Sequence, residues 1–100
     1  MAAVLVSPAQ VTVTTSGTEV RLVAADVQKV LAVYLSAPAA NTGTVYVGDA
    51  DVSVNRGMAI IKGTTQVINA PEGDVLDLRN MWVDAATNGD KLNVAYLVKA

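Results

Sequence analysis

The sequence predicts an all-β protein, an antiparallel sandwich or barrel of about eight short strands. Val, Thr and Ile number 18, 9 and 3 of the 100 residues, and β-branched side chains fit a pleated sheet better than a helix. Apolar segments recur every roughly 8–12 residues between Gly, Pro, Asn and Asp, as in β-sandwiches and barrels. Because Phe is absent and the aromatics are three Tyr and one Trp, small aliphatic side chains must form the core, which favours a thin two-sheet sandwich.

The first two strands are expected in residues 10–15 and 19–23. Val11 and Val13 alternate with threonines in the first segment, and Val20 and Leu22 alternate with polar residues in the second. The short connection at residues 16–18 contains a glycine, and such a connection between alternating segments predicts a β-hairpin.

Residues 29–36 form the longest candidate strand and are apolar on both faces, which predicts a central or covered strand. Simple alternation assigns one face to Val30, Ala32 and Tyr34 and the other to Leu31, Val33 and Leu35. A helix over residues 24–32, capped by Asp26, is the alternative, and the β-branched residues that follow favour the strand.

The remaining strands are predicted between turn signals. Residues 75–78 are expected to form either a short strand or a single turn, and Asn88–Gly89 is the strongest turn signal in the chain. The other predicted strands are residues 44–47, 52–54, 58–61, 65–68, 81–84 and 91–98.

The chain is expected to form a single β-sandwich domain over residues 10–100, preceded by residues 1–9. This first segment is apolar and ends at Ser7–Pro8, so it is either an arm that docks on a neighbouring molecule or one more edge strand. It lacks the basic start of a secretory signal, and no apolar run is long enough for a membrane helix. The net charge of −2 gives no electrostatic reason to expect nucleic acid or an anionic membrane.

The composition argues against an enzyme. There is no Cys and no His, which removes thiolate catalysis, Cys-type zinc sites, and the commonest general base and metal ligand. The glycines separate predicted strands and so do not resemble a phosphate-binding loop. The sequence therefore predicts neither catalytic residues nor a cofactor.

Two oxygen-rich groups are candidate metal sites. Asp49 and Asp51 flank Ala50, but this spacing lacks the regular acidic pattern of a calcium loop. Asp84, Asn88 and Asp90 surround the last predicted turn, where such residues are common because their side chains bond to nearby backbone. Both groups are interpreted as turn residues, and no metal site is predicted.

Composition favours a role in assembly. Charged residues make up 16% of the chain, below the roughly 25% usual in soluble domains, so apolar surface is expected to be buried against other chains. Trp82 with a tyrosine could stack on a sugar, although a lone Trp is more often in a core or an interface.

Turn and strand motifs carry a family resemblance over about residues 10–98. Residues 41–49 (NTGTVYVGD), 76–78 (LDL), 82–84 (WVD) and 88–94 (NGDKLNV) resemble small virion proteins of tailed bacteriophages. The resemblance implies a jelly-roll-like β-sandwich that decorates or cements the capsid exterior, is made in the host cytoplasm and brings no catalytic residues. It implies a homo-oligomer, a dimer or trimer, bound to the major capsid protein. Related sandwiches in head fibres, tails and baseplates bind host surface carbohydrate, which is the alternative function.

Eight side chains are predicted to contact partners. They come from the first segment, the longest apolar strand and the Met–Trp pair: Val4, Leu5, Val6, Leu31, Val33, Leu35, Met81 and Trp82.

Overall fold

The computed structural model describes residues 2–24 and 27–99. Within these ranges the chain is built of strands, with one turn of 3-10 helix at Leu78–Asn80. The strands are β1 (Ala3–Val6), β2 (Val11–Thr12), β3 (Val20–Arg21), β4 (Val30–Ser36), β5 (Val45–Gly48), β6 (Met58–Ile60), β7 (Thr65–Asn69), β8 (Trp82–Ala85) and β9 (Lys91–Lys99).

The strands form two antiparallel sheets. In the five-stranded sheet β9 pairs with β1, β2 and β4, and β7 pairs with the far side of β4. In the four-stranded sheet the order is β3-β8-β5-β6. The predicted antiparallel β-sandwich is therefore confirmed.

The strand order is that of a jelly roll. Strands β1 and β2 both lie on the same side of β9 and are separated by a segment that contains Pro8, so they act as one interrupted strand. Counted in this way, the described residues form eight strands, and each sheet has the order produced by two Greek keys.

The predicted hairpin of residues 10–15 and 19–23 is wrong. Strand β2 pairs with β9 in one sheet, whereas β3 pairs with β8 in the other. The glycine connection reverses the chain as expected, but the two strands face each other across the core. A local turn signal fixes the change of direction and leaves the choice of partner strand to long-range packing.

The core lies between the inner faces of the two sheets and is aliphatic, as the composition predicts. The largest side chains with no exposure are Leu35, Ile60, Leu78 and Leu92. Leu78, in the 3-10 turn, is part of the core.

A β-bulge changes the faces predicted for β4. Val30 lies opposite Val98 and Ala32 lies opposite Leu97, so Leu31 is an extra residue between two consecutive pairs. Such an insertion reverses the alternation of side chains. Val30 therefore joins Val33 and Leu35 in the core, and Leu31 is separated from the face that simple alternation assigned to it.

Three short segments differ from the predicted strands or decide between predicted alternatives. Residues 52–54 do not form a strand and hold only an isolated bridge, between Ser53 and Arg56. Leu76 makes a single bridge with Val30 before the 3-10 turn, so residues 75–78 are closer to the turn alternative. The alternative helix over residues 24–32 is not formed at its end, because β4 begins at Val30. Asp26, the cap proposed for that helix, lies outside the described residues.

No helix in the described part of the chain is long and apolar enough to cross a membrane.

Candidate interaction surface

The outer face of the five-stranded sheet carries a continuous set of apolar side chains. The register places Leu5 beside Leu97 and Leu97 beside Ala32. In the next row, Ala95 lies beside Tyr34 and Tyr34 beside Val67. We call this surface the outer apolar face and define it by these residues: Leu5, Ala32, Tyr34, Val67, Ala95 and Leu97.

This face is open to solvent at its two edge strands, β1 and β7. Leu5 is 60% exposed and Val67 is 49% exposed, whereas Ala32 is buried with 3% exposure. Tyr34, Ala95 and Leu97 are half-buried. Neighbouring apolar side chains on one side of a sheet make a contiguous patch, which is more informative than scattered exposed residues.

Charges occur only at the ends of the long strand that crosses the outer apolar face. Lys91 and Lys99 are the first and last residues of β9 and are exposed. Both lie on the same face of the strand as the outward-facing Leu97. Between them, Asn93, Ala95 and Leu97 are uncharged. The surface thus has an apolar centre with two lysines at its rim, which suits an apolar partner surface with an acidic border.

The three interface residues predicted on β4 lie in different environments. Val33 and Leu35 have 0% exposure and belong to the core, so in the folded chain they are not available to a partner, contrary to prediction. The register with β9 places both of them on the inner face of the sheet. Leu31 is half-buried and lines a shallow surface pocket together with Ala2, Ala3, Val75 and Lys99.

The predicted residues of the first segment lie in β1, which is an edge strand of the chain's own sheet. Leu5 faces outward with Leu97, whereas Val4 and Val6 have the parity of the inward-facing Tyr96 and Val98. Val6 packs against the core, and Val4, near the end of the sandwich, is 48% exposed. Of the three, Leu5 belongs to the outer apolar face.

Trp82 begins β8 in the other sheet, and Met81 directly precedes it. Both are half-buried, and Met81 packs against the core. The Arg21 guanidinium carbon lies 4.5 Å from the centre of the Trp82 ring, a cation–π contact. One side of the indole is therefore already occupied, which leaves less of the ring for stacking on a ligand.

The oxygen-rich groups bond to the backbone of the chain. Asp49 Oδ1 accepts a hydrogen bond from the Asp51 backbone N–H at 2.9 Å, which is a local turn contact. Among the described residues, no group of three or more acidic side chains is arranged to hold a metal ion.

Asp84 and Asp90 are buried carboxylates that hold loops. Asp84 Oδ1 accepts from the backbone N–H groups of Gly17 and Ala85 at 3.0 and 2.8 Å. The two oxygens of Asp90 accept from the N–H groups of Thr42 and Gly43 at 2.9 and 2.8 Å. Both contacts are structural, because each buried carboxylate is satisfied by backbone donors.

Two side-chain amides extend this loop network. Asn88 Oδ1 accepts from the Ser16 backbone N–H at 2.7 Å. Asn41 donates to the Lys91 carbonyl at 2.7 Å and accepts from the Lys91 N–H at 2.9 Å. These Asx side chains therefore fasten loops that are distant in sequence, and Asn88 bonds to Ser16 rather than to the nearby backbone that the sequence predicts.

Sequence analysis missed most of the outer apolar face. Tyr34, Val67, Ala95 and Leu97 come from three strands and become neighbours only through the register. The signal in the sequence is the apolar character of Ala95 and Leu97 at alternate positions of a strand whose other face is also apolar.

Comparisons with protein-family models, curated proteins and solved structures found no match for this chain.

Proposed function

We propose that this protein is a structural component of a bacteriophage virion, which decorates the capsid exterior by binding the major capsid protein. The observation that supports this proposal best is the outer apolar face, with the open side chains of Leu5 and Val67. An uncharged apolar sheet face suits contact with another protein surface. The sequence resemblance to virion proteins supplies the identity of that partner.

The proposed mechanism is stabilisation of the shell through binding. A protein that binds the assembled shell and has no affinity for its separated subunits stabilises the shell by its binding free energy. Many copies acting across subunit boundaries add their contributions without any chemical step. The proposed site of synthesis is the host cytoplasm, and the proposed active form is a homo-oligomer.

The two lysines at the rim add a prediction about the capsid surface. Lys91 and Lys99 are exposed at opposite ends of β9, so we expect Asp or Glu at the border of the apolar site on the major capsid protein. Pairs of this kind fix the orientation of the bound protein and raise its association rate more than its affinity.

Co-sedimentation with undecorated shells tests the proposal. Wild-type protein is expected to bind at a saturable, fixed ratio to the major capsid protein and to raise the melting temperature of the shells. Leu5→Lys is expected to weaken binding by at least about tenfold, because an ammonium group would lose water in the contact.

The matched control is Val54→Lys. Val54 is 44% exposed and lies in the connection between β5 and β6, in the other sheet, so this variant is expected to bind shells like the wild type. Absence of wild-type binding would reject the capsid role. Equal loss in both variants would reject the outer apolar face as the site.

The alternative is a tail, baseplate or head-fibre module that binds host carbohydrate. Arg21 already stacks on Trp82, so the ring that suggested a sugar platform gives this alternative little support. A glycan array would favour it if the wild type bound a defined sugar and Trp82→Ala abolished that binding.

A further inference from the structure

In the part of the chain that the structure describes, only one edge of β7 has a partner strand. The Ala70 N–H donates to the Leu31 carbonyl at 2.8 Å, and the Ala37 N–H donates to the Thr64 carbonyl at 3.0 Å. These bonds flank the β4–β7 ladder and fix its alternation, so Gln66 and Ile68 bond to β4. The N–H and C=O groups of the alternate residues Thr65, Val67 and Asn69 therefore point away from β4.

The edge of β7 that faces away from β4 lacks the usual protection against pairing. Strand β7 (Thr65–Asn69) contains no charge and no proline, and four of its five residues are exposed. Free edges are normally blocked by charges, prolines, bulges or a covering segment. The other free edge of this sheet is less regular, because β1 has four residues and is followed by Pro8.

We propose that β7 pairs with β7 of a second copy of this chain, in an antiparallel register centred on Val67. This inference deepens the homo-oligomer included in the proposed function by naming its surface and its order. Val67 would lie opposite the partner's Val67, and Thr65 opposite the partner's Asn69. All three outward-pointing residues then fall in hydrogen-bonded pairs, which give six hydrogen bonds between the subunits.

Charge favours a second copy in this orientation. Lys62 lies five residues before Val67, and Glu72 lies five residues after it. Antiparallel pairing about Val67 brings each Lys62 to the end of the partner strand where Glu72 and Asp74 are located. A parallel arrangement would place like charges together. Lys62, Glu72 and Asp74 are all exposed, so they are available for these contacts.

A turn holds Lys62 at the start of β7. The Thr64 N–H donates to the Ile61 carbonyl at 3.0 Å, and Gly63 has φ of +80°. Glycine is the residue that adopts this conformation without strain. The turn therefore gives Lys62 a defined position near the strand end.

The symmetric pair would also enlarge the outer apolar face. Val67 projects from the same side of the sheet as Tyr34 and Ala95. In the paired molecule this row continues through the partner's Val67 to the partner's Tyr34. The pairing is isologous and closes with two copies, so it predicts a dimer and excludes a trimer built on this edge.

Analytical ultracentrifugation of the purified full chain, without shells, tests the dimer up to about 1 mM. Lys62→Glu is expected to weaken dimerisation by about threefold to tenfold, because two exposed ion pairs become repulsive contacts. The charge exchange Lys62→Glu with Glu72→Lys is expected to restore wild-type affinity. The matched control Arg56→Glu reverses an exposed charge in the connection between β5 and β6, on the other sheet, and is expected to have no effect.

Amide hydrogen exchange provides a second measurement that needs no substitution. Protection of the Val67 N–H is expected to rise with protein concentration, because this group is bonded only in the dimer. The Leu5 N–H is the internal control, since it points away from β9 at the opposite edge and should exchange rapidly at every concentration.

The proposal is overturned if the wild type stays monomeric or forms a trimer. It is also overturned if Lys62→Glu leaves the dimer affinity unchanged or if the charge exchange does not restore it. A Val67 N–H whose exchange does not depend on concentration overturns it as well. Because shells are absent from both measurements, these results leave the capsid-binding proposal standing. Conversely, failure of wild-type protein to bind shells leaves the β7 dimer standing.

Discussion

The outer faces of the two sheets differ in how far other groups of the same chain contact them. On the four-stranded sheet, Arg21 stacks on Trp82, and the carboxylate of Asp84 is buried and bonded to Gly17. On the five-stranded sheet, Leu5 and Val67 remain open. Side chains and backbone groups of the chain itself contact the outer face of the four-stranded sheet, whereas the outer face of the five-stranded sheet is left apolar and partly open. Substitutions should therefore affect stability on the first face and association on the second.

The largest expected effect separates the core from the outer apolar face. Leu35→Ala removes a fully buried side chain and should lower the free energy of unfolding by about 2–5 kcal/mol. Leu5→Ala, at 60% exposure, should cost less than about 1 kcal/mol. Urea denaturation measures both. Similar losses in the two variants would contradict the assignment of Leu35 to the core and Leu5 to the surface.

Asp84→Ala is expected to have the next largest effect. The substitution leaves the N–H groups of Gly17 and Ala85 without their carboxylate partner, which should cost about 2–3 kcal/mol of unfolding free energy. Asp49→Ala is the control, because Asp49 is exposed and makes a local contact with Asp51. Equal midpoints of thermal unfolding for the two variants would show that Asp84 does not fasten the loop.

Arg21→Ala removes the cation–π contact with Trp82 and should lower the free energy of unfolding by about 0.5–1 kcal/mol. Trp82 is the single tryptophan, so its fluorescence should change directly when the guanidinium is removed. Arg56→Ala, which alters another exposed arginine, should leave the emission spectrum unchanged. An unaltered spectrum in Arg21→Ala would argue against stacking in solution.

The smallest effect on stability is expected for Val67→Thr. The side chains have similar shapes, and Val67 is 49% exposed, so unfolding free energy should change by no more than about 0.5 kcal/mol. The variant keeps the backbone groups of β7 and should dimerise normally. Its hydroxyl should weaken shell binding, measured by co-sedimentation. Loss of dimerisation with intact shell binding would reverse the roles assigned to edge and face.

The positions of strands could be predicted from local patterns better than their partners could. Residues 29–36 and 91–98 were expected as strands, and β4 and β9 occupy them closely. Alternation and β-branched side chains are local properties. The partner of β2 is instead fixed by packing between sheets, which the glycine connection at Gly17 does not encode.

The outer apolar face shows the same limit for the candidate site. The extra residue at Leu31 separates it from the buried Val33 and Leu35, and the spacing of apolar residues does not predict a bulge when both faces are apolar. Leu5 and Leu97 are far apart in sequence and meet through the β1–β9 register. A surface assembled from several strands becomes visible only once their register is known.

The central place of β9 has a consequence for how the protein is made. This strand comes last in the described chain and separates β1 and β2 from β4. During synthesis the first strands have no sheet partner until β9 has left the ribosome, and closing so long a loop is slow. Completion of the five-stranded sheet is therefore a late event, and the apolar residues of β1 stay uncovered until then.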